Sequence, residues 1–535
     1  MARTPLMRSI QKLFRQYREA RKRKVSLAGL REQAAAQGPT RRQVLAGAAV
    51  GAGLLALPKR ANAAGGQPSV AIVGGGIAGL ACALKLADRN KAATVYEASG
   101  RVGGRMFSNT GGYWSQGQIS EWGGELIDTG HKTVRKLAQR FGLPVDDLLA
   151  AQPAGSTPTF YFNGCHYSKA DADTDFAPVF DAVTADEAAA PFPTTYDAFT
   201  PQGAELSAMT VHQWIKTRVP GGHGSALGKL LDVAYAIEYG ADTRQQAALN
   251  LVYLLAYQPD QGEFAEFGES DERFHIRGGN QRLPEAITAE LGAAVKTGHT
   301  LRKIKQTSGG RYTLSFDKAG GSVDVTADFV VLCLPFAVLR DLDYSQAGFD
   351  ALKKSAIREL GRGHNGKLQL QFNSRLWNTS GPWGLSNGSS YSETGYQAGW
   401  DVTRGQSGAP GIMNLYSGGS VTDGMSTNTS FATASNAQVV QDAQRGLQQL
   451  GPVFPGLASR WNGKATQSIW HKAALFNASY SFYKPGQYTE FCGYEKVAQG
   501  NVLFAGEHTS EGFQGFMEGG ASEGERAAKE LIRLL

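Results

Sequence analysis

The residues best placed to do chemistry begin at Gly74. Ser69-Val70-Ala71-Ile72-Val73 has the pattern of a short buried strand, Gly74-Gly75-Gly76-Ile77-Ala78-Gly79 follows, and Leu80 to Ala87 continues as a helical run. In this arrangement Gly74 permits a tight turn, Gly76 lets the backbone approach a pyrophosphate, and Gly79 lets helix pack on strand. The N–H groups that open the helix face the phosphates. A second strand, Ala93-Thr94-Val95-Tyr96, ends in Glu97, 18 residues beyond Gly79. A carboxylate there accepts hydrogen bonds from an unphosphorylated ribose. A lone glycine-rich turn is usually only a turn, but strand, helix and acid coincide here and predict a dinucleotide site. Further glycine motifs follow in Gly100-Arg101-Val102-Gly103-Gly104-Arg105 and Glu121-Trp122-Gly123-Gly124-Glu125-Leu126. The nine histidines are scattered with no pair at metal-ligand spacing, so no metal site is expected.

Those residues need a frame. Residues from about Thr129 to Asp271 contain helical patterns such as Ala234 to Tyr239 and Ala247 to Tyr257, whereas Phe349 to Lys464 alternates more like strands, as in Lys367-Leu368-Gln369-Leu370-Gln371-Phe372. These stretches are expected to build a substrate domain that returns repeatedly to the nucleotide domain. The expected division is a leader at 1–63, nucleotide-binding segments at 64–128, 272–348 and 465–535, and substrate-domain segments at 129–271 and 349–464. The fold class is α/β, a Rossmann-like domain with a discontinuous α+β substrate-binding domain.

Composition agrees with a large folded chain of several domains. The chain has 535 residues, 42% hydrophobic and 19% charged, which excludes a disordered or fibrous protein, and its 67 glycines show no collagen period. A net charge of +7 suggests an anionic partner until it is located. Residues 1–63 hold 14 Lys and Arg and two acids, so the remainder carries −5 and no nucleic acid is expected. Thr40-Arg41-Arg42-Gln43-Val44-Leu45, the 14-residue apolar run Val44 to Leu57 and the small residues Ala61-Asn62-Ala63 resemble a twin-arginine export signal. The run is short of the ~20 residues that span a bilayer. Export as a folded protein to the periplasm or medium, with the twin-arginine machinery as partner, is the expectation. Cys82 and Cys333 read as small buried hydrophobes among the four cysteines, and nothing excludes a homo-oligomer.

At the far end, Asn501-Val502-Leu503-Phe504-Ala505-Gly506-Glu507-His508 is a strand running into a turn, and Gln514-Gly515-Phe516-Met517-Glu518-Gly519-Gly520-Ala521 opens the final helix. Together with the fingerprint and the double glycines, these motifs resemble the flavin amine oxidase superfamily, nearest to bacterial FAD-dependent L-amino-acid oxidases. The likeness covers nearly the whole chain after the leader. It implies an FAD-binding domain of the amine oxidase type, with Gly74, Gly76, Gly79, Glu97, Ala98, Gly104, Arg105, Gly123, Gly124, Glu125, Val295, Glu507, Phe516 and Met517 holding the cofactor. Arg105 would neutralise pyrophosphate charge, Glu507 would hold a ribityl hydroxyl, and Val295 would meet adenine through its backbone. The N–H groups at Phe516 and Met517 would stabilise negative charge on the reduced flavin. Lys367 matches the family lysine that holds a water against flavin N5 and assists reaction with oxygen; a lone strand-end lysine is more commonly just exposed. Tyr480 and Phe516 match two aromatic walls, with Trp400 as a further pocket residue. Ser479 stands where some relatives carry a flavin-bonded cysteine, so FAD is expected to be noncovalent.

The implied reaction is hydride transfer from the carbon bearing a neutral amine, then imine hydrolysis and reoxidation by molecular oxygen with release of hydrogen peroxide. The first expectation is an L-amino acid, with a basic one such as arginine or lysine included. One departure stands against it: the familiar eukaryotic enzymes place an arginine for the carboxylate where this chain has Leu126. The alternative is a primary amine or polyamine oxidase, and a second is an exported flavoprotein or dehydrogenase without oxidase turnover. Glu263, Glu266, Glu269 and Asp271 form an acidic cluster that a basic substrate would use, although a solvated acidic loop reads as well.

Overall fold

A computed structural model describes residues 68–256 and 271–535. The leader, and with it the export signal, lies outside the described residues, as do Glu263, Glu266 and Glu269. Strand Val70–Val73 is apolar and buried throughout because it lies at the centre of a parallel sheet. Its five strands run Val502–Phe504, Phe329–Leu332, Val70–Val73, Thr94–Tyr96 and Val295–Lys296, every adjacent pair parallel. In chain order this is the doubly wound arrangement, whose order reverses between Val70–Val73 and Phe329–Leu332. The fold is α/β, as expected, with three separated parts of the chain contributing to this one sheet.

Helix Ile77–Ala87 packs against the closing helix Met517–Leu534. Two glycines allow the close approach: a Cβ on Gly520 would lie 2.9 Å from the Ile77 side chain at Cγ2, and one on Gly524 only 2.1 Å from the Ala78 carbonyl oxygen. The last helix thereby brings its N-terminus beside that of the fingerprint helix.

The second layer is an eight-stranded sheet in the order Phe431–Thr433, Trp461–Ile469, Asn365–Phe372, Gly411–Gly418, Ala398–Asp401, Ser386–Ser392, Thr157–Phe162, Cys165–Tyr167. Two of its strands come from the stretch that reads as helical, and Trp461–Ile469 runs past residue 464, so the substrate sheet crosses that expected boundary. The helical runs expected near Ala234 and Ala247 fall in Ala226–Tyr239 and Ala248–Ala256. Ser225 caps the first by accepting from Gly228 N, and Gly240 ends it in the left-handed region at φ 66°. The Gly240 carbonyl then accepts from His364 N at 2.7 Å, which fixes the entry to strand Asn365–Phe372. That strand is buried at all eight positions between Gly411–Gly418 and Trp461–Ile469. Lys367, opposite Tyr416 and Ser468, is therefore an interior lysine and not an exposed strand-end one. Among the described residues no helix is long and apolar enough to cross a membrane.

The helix–helix contact is directly testable. Gly524→Ala is expected to lower unfolding stability by about 1–3 kcal/mol through overpacking, read by denaturant titration. Gly309→Ala, at a position with open space around it, should be neutral; equal effects would sink the close-contact account.

Candidate functional site

At the C-terminal ends of the parallel strands, where the strand order reverses, lies a cavity of about 510 Å³. Gly74, at φ 108°, turns the chain beneath it, and a Cβ there would come within 3.0 Å of the Cys333 carbonyl oxygen. Gly79 does not line the cavity; a Cβ on it would lie 2.0 Å from the Gly74 carbonyl oxygen, so it seats the helix under the turn. Glu97 lines the cavity with both oxygens engaged, Oε2 accepting from Gly75 N at 2.7 Å and Oε1 from Ser99 N at 2.8 Å. Val295, expected to meet adenine through its backbone, does not itself line the cavity. Its strand pairs with Val95–Tyr96 and its side chain packs into the apolar core beneath the sheet, whereas His299, Thr300, Leu301 and Arg302 line that end of the cavity. The chain turns at Gly298 before it reaches the wall.

The middle of the cavity is organised by an ion pair between a half-buried guanidinium and a buried carboxylate. Arg105 Nη1 donates to Glu507 Oε1 at 2.9 Å and to the Ser479 carbonyl at 2.8 Å. Glu507 also accepts from Ser481 N, Ser481 Oγ and Gly515 N. Burial raises the Glu507 carboxyl, but Arg105 and these hydrogen bonds outweigh it and hold the pKa below the usual carboxylate range. Phe516 and Met517 open the closing helix toward the cavity, and Gly123 and Gly124 approach Arg105 and Met517. Glu518, from the same motif, points away: it accepts from Thr133 N and Val134 N and so caps the helix Lys132–Arg140.

At the reacting end Lys367 Nζ donates to Glu125 Oε2 at 2.6 Å, and Glu125 Oε1 accepts from Trp400 Nε1 at 2.8 Å. All three side chains are buried at the cavity wall. Burial raises the Glu125 carboxyl, and Lys367 and Trp400 more than reverse this. Tyr480 lines the cavity beside Tyr416, their hydroxyl oxygens 2.8 Å apart, and Tyr480 also donates to the Ile237 carbonyl at 3.0 Å. Phe516 packs edge-on against His131, ring centroids 5.1 Å apart. Ser479 Oγ donates to Asn365 Oδ1. Ala98, Gly76, Gly104 and Leu126 complete the expected lining. Asp271 instead accepts from Thr129 N, and its neighbour Glu272, buried and at φ 42°, reaches the wall.

Sequence reasoning missed Tyr416, Glu272, His508 and the wall at His299 to Arg302. Only alternation along Gly411–Gly418 hints at Tyr416, and nothing local marks the others. His508 bears on what the cavity holds. It is buried against the cavity, and neither ring nitrogen has a hydrogen-bond partner among the described residues. A buried polar ring of this kind calls for a ligand or water. With the glycine turn, the ribose-facing acid and a helix N-terminus, it fits a flavin dinucleotide. All four cysteines are free thiols.

Comparisons with known proteins agree with this geometry. A family model described as flavin containing amine oxidoreductase matches residues 77–532. An L-amino acid dehydrogenase of Synechocystis sp. is 24% identical, covering 87% of this chain and 94% of its own length. A nicotine dehydrogenase of Pseudomonas putida is 24% identical over 87% of this chain and 88% of its own. The solved structure of cyclohexylamine oxidase from Brevibacterium oxydans superposes with a TM-score of 0.72 at 19% identity, covering 88% of this chain and 99% of that one.

Burial holds His131 and His508 down at a pKa of about 4. The unfolded chain, with His near 6.5, binds more protons between those values, so stability is full above about pH 6.5 and falls toward pH 4, by about 1.4 kcal/mol per unit per group. Thermal unfolding of the apoprotein across this range should show the slope, and His131→Gln should reduce it; an unchanged slope would remove His131 from the account.

Proposed function

Since the chain belongs to the flavin-containing amine oxidoreductase family, we propose that it is an FAD-dependent L-amino-acid oxidase, converting substrate, oxygen and water to the 2-oxo acid, ammonia and hydrogen peroxide. The observation that carries the reaction is the convergence of Lys367, Trp400, Tyr416, Tyr480 and Phe516 on the same cavity as the dinucleotide cradle. The amino-acid part leans on the name of the Synechocystis relative. Bound noncovalently, FAD supplies the two-electron acceptor for the hydride that leaves the amine-bearing carbon. Tyr480 and Phe516 act as aromatic walls that align that carbon and exclude water. Lys367, fixed by Glu125, holds a water and favours negative charge developing on reduced oxygen. Trp400 clamps Glu125 from its other oxygen. The proposal includes export of the folded, loaded protein by the twin-arginine route.

A second reading, oxidation of an amine without a carboxylate, has a specific observation in its favour. Leu126 lines the cavity where an arginine would meet a carboxylate. Tyr480 donates to Ile237 O, which leaves Tyr416 to donate to Tyr480, so both hydroxyl protons are engaged within the protein.

Peroxide release from L-amino acids set against their decarboxylated amines separates the readings. Turnover of the amino acid alone is expected; equal turnover of both would sink carboxylate recognition. Dye reduction without peroxide would make the protein a dehydrogenase. Lys367→Met should leave anaerobic flavin reduction nearly intact while slowing reoxidation by oxygen on the order of 10²-fold. Wild-type reoxidation in stopped flow would remove the lysine from that role.

A further inference from the structure

Three metal-ligating side chains from separate segments meet outside the cavity. His364 precedes strand Asn365–Phe372, Asp423 ends the helix Ser420–Asp423, and His471 lies in the turn after strand Trp461–Ile469. The register that pairs Gly366 with Ile469 sets the two histidines side by side, and their rings stack with centroids 4.0 Å apart and 15° between planes. Both present an edge to one carboxylate oxygen: Asp423 Oδ1 is 2.8 Å from His364 Nδ1 and 3.5 Å from His471 Nε2. One ligand atom from each residue falls within 4.8 Å of the others. A tetrahedral zinc ion with bonds of about 2.0–2.1 Å holds its ligand atoms about 3.3 Å apart, so small side-chain rotations bring these three onto one centre.

Hydrogen bonding within the protein does not account for His471. At 3.5 Å its Nε2 is beyond a good N–H···O bond to Asp423, and its Nδ1 is buried with no partner among the described residues. A second cluster in the same chain supplies the contrast. His212 and His223 also stack, near Asp232, but there His223 Nε2 is taken by the His212 carbonyl at 3.1 Å and Asp232 accepts from Thr243. Protein partners explain that cluster and leave His471 unexplained.

We propose that His364, Asp423 and His471 form a site for a borderline divalent transition ion, zinc above all, with three protein ligands and a fourth position open to water. Asp423 is half exposed, which gives the ion a path from solvent. The ion joins the ends of two adjacent strands, one carrying Lys367 and the other leading to Trp470, both at the cavity wall. It touches neither, so its effect is on the rigidity of that edge and not on the reaction.

The test uses the flavin-loaded enzyme, stripped with chelator and titrated with Zn²⁺ and with Co²⁺. The expected results are about one ion per chain with micromolar affinity, tetrahedral visible absorption from Co²⁺, and a Tm raised by several degrees with turnover changed less than about 2-fold. Asp423→Asn and His471→Ala should each weaken zinc binding more than about 10-fold at unchanged flavin content, while His223→Ala leaves it intact. No saturable uptake in the micromolar range would overturn the proposal, as would binding lost in His223→Ala but kept in the Asp423 and His471 variants. A protein that binds the ion without gaining Tm would overturn the clip.

Discussion

The pairing of half-buried Arg105 with buried Glu507 holds the site together. A carboxylate taken out of water is tolerable only when it is paired and its remaining hydrogen-bonding capacity is met, and here each partner of the pair recruits a different segment. Arg105 reaches the Ser479 carbonyl, and Glu507 takes Ser481 and Gly515. Tyr480 lies between the first two of these residues and Phe516 follows the third, so both aromatic walls are set by one ion pair. Removal of Arg105 would strand the Glu507 carboxylate in a buried place and loosen both walls.

The parallel sheet makes the nucleotide domain discontinuous, and the ion pair spans the same separation. Arg105 and Glu507 lie near opposite ends of the described chain, and the central strand Val70–Val73 has for its neighbour Phe329–Leu332, which in turn pairs with Val502–Phe504. Each return to the sheet leaves a loop large enough to hold a sheet or helices of its own. The eight-stranded sheet built in those excursions then hands Lys367 back to the cavity from its interior. Carrying the lysine on a strand buried on both sides fixes its reach, and the Glu125 carboxylate and Trp400 indole fix its direction.

The substrate half of the cavity is austere in free donors. Lys367 is tied to Glu125, Arg105 to Glu507, and the hydroxyl protons of Tyr416 and Tyr480 to each other and to Ile237. A substrate carboxylate would have to compete with one of these bonds. The aromatic surface of Tyr416, Tyr480 and Phe516, by contrast, is fully formed at the cavity.

The sequence by itself determined the nucleotide end. Fingerprint turns work through backbone geometry within a few residues, so Gly74, Gly79, Glu97 and the closing Phe504 to Met517 motif were legible from local pattern, as were helix Ile77–Ala87 and strand Asn365–Phe372. The division at residue 464 was less so, because sheet membership depends on partners far away in the chain. The wall at His299 to Arg302 was not legible for a related reason: a strand and the turn after it are separated by only a few residues, and which of them lines a cavity depends on how the strand is packed. Tertiary structure alone decided that Lys367 is interior, that Tyr416 stands beside Tyr480, that both His508 nitrogens are without a hydrogen-bond partner among the described residues, and that His364 and His471 meet over Asp423. These facts are pairings across the fold. Local patterns can specify a backbone turn, but a distance between distant side chains exists only once the sheets have closed.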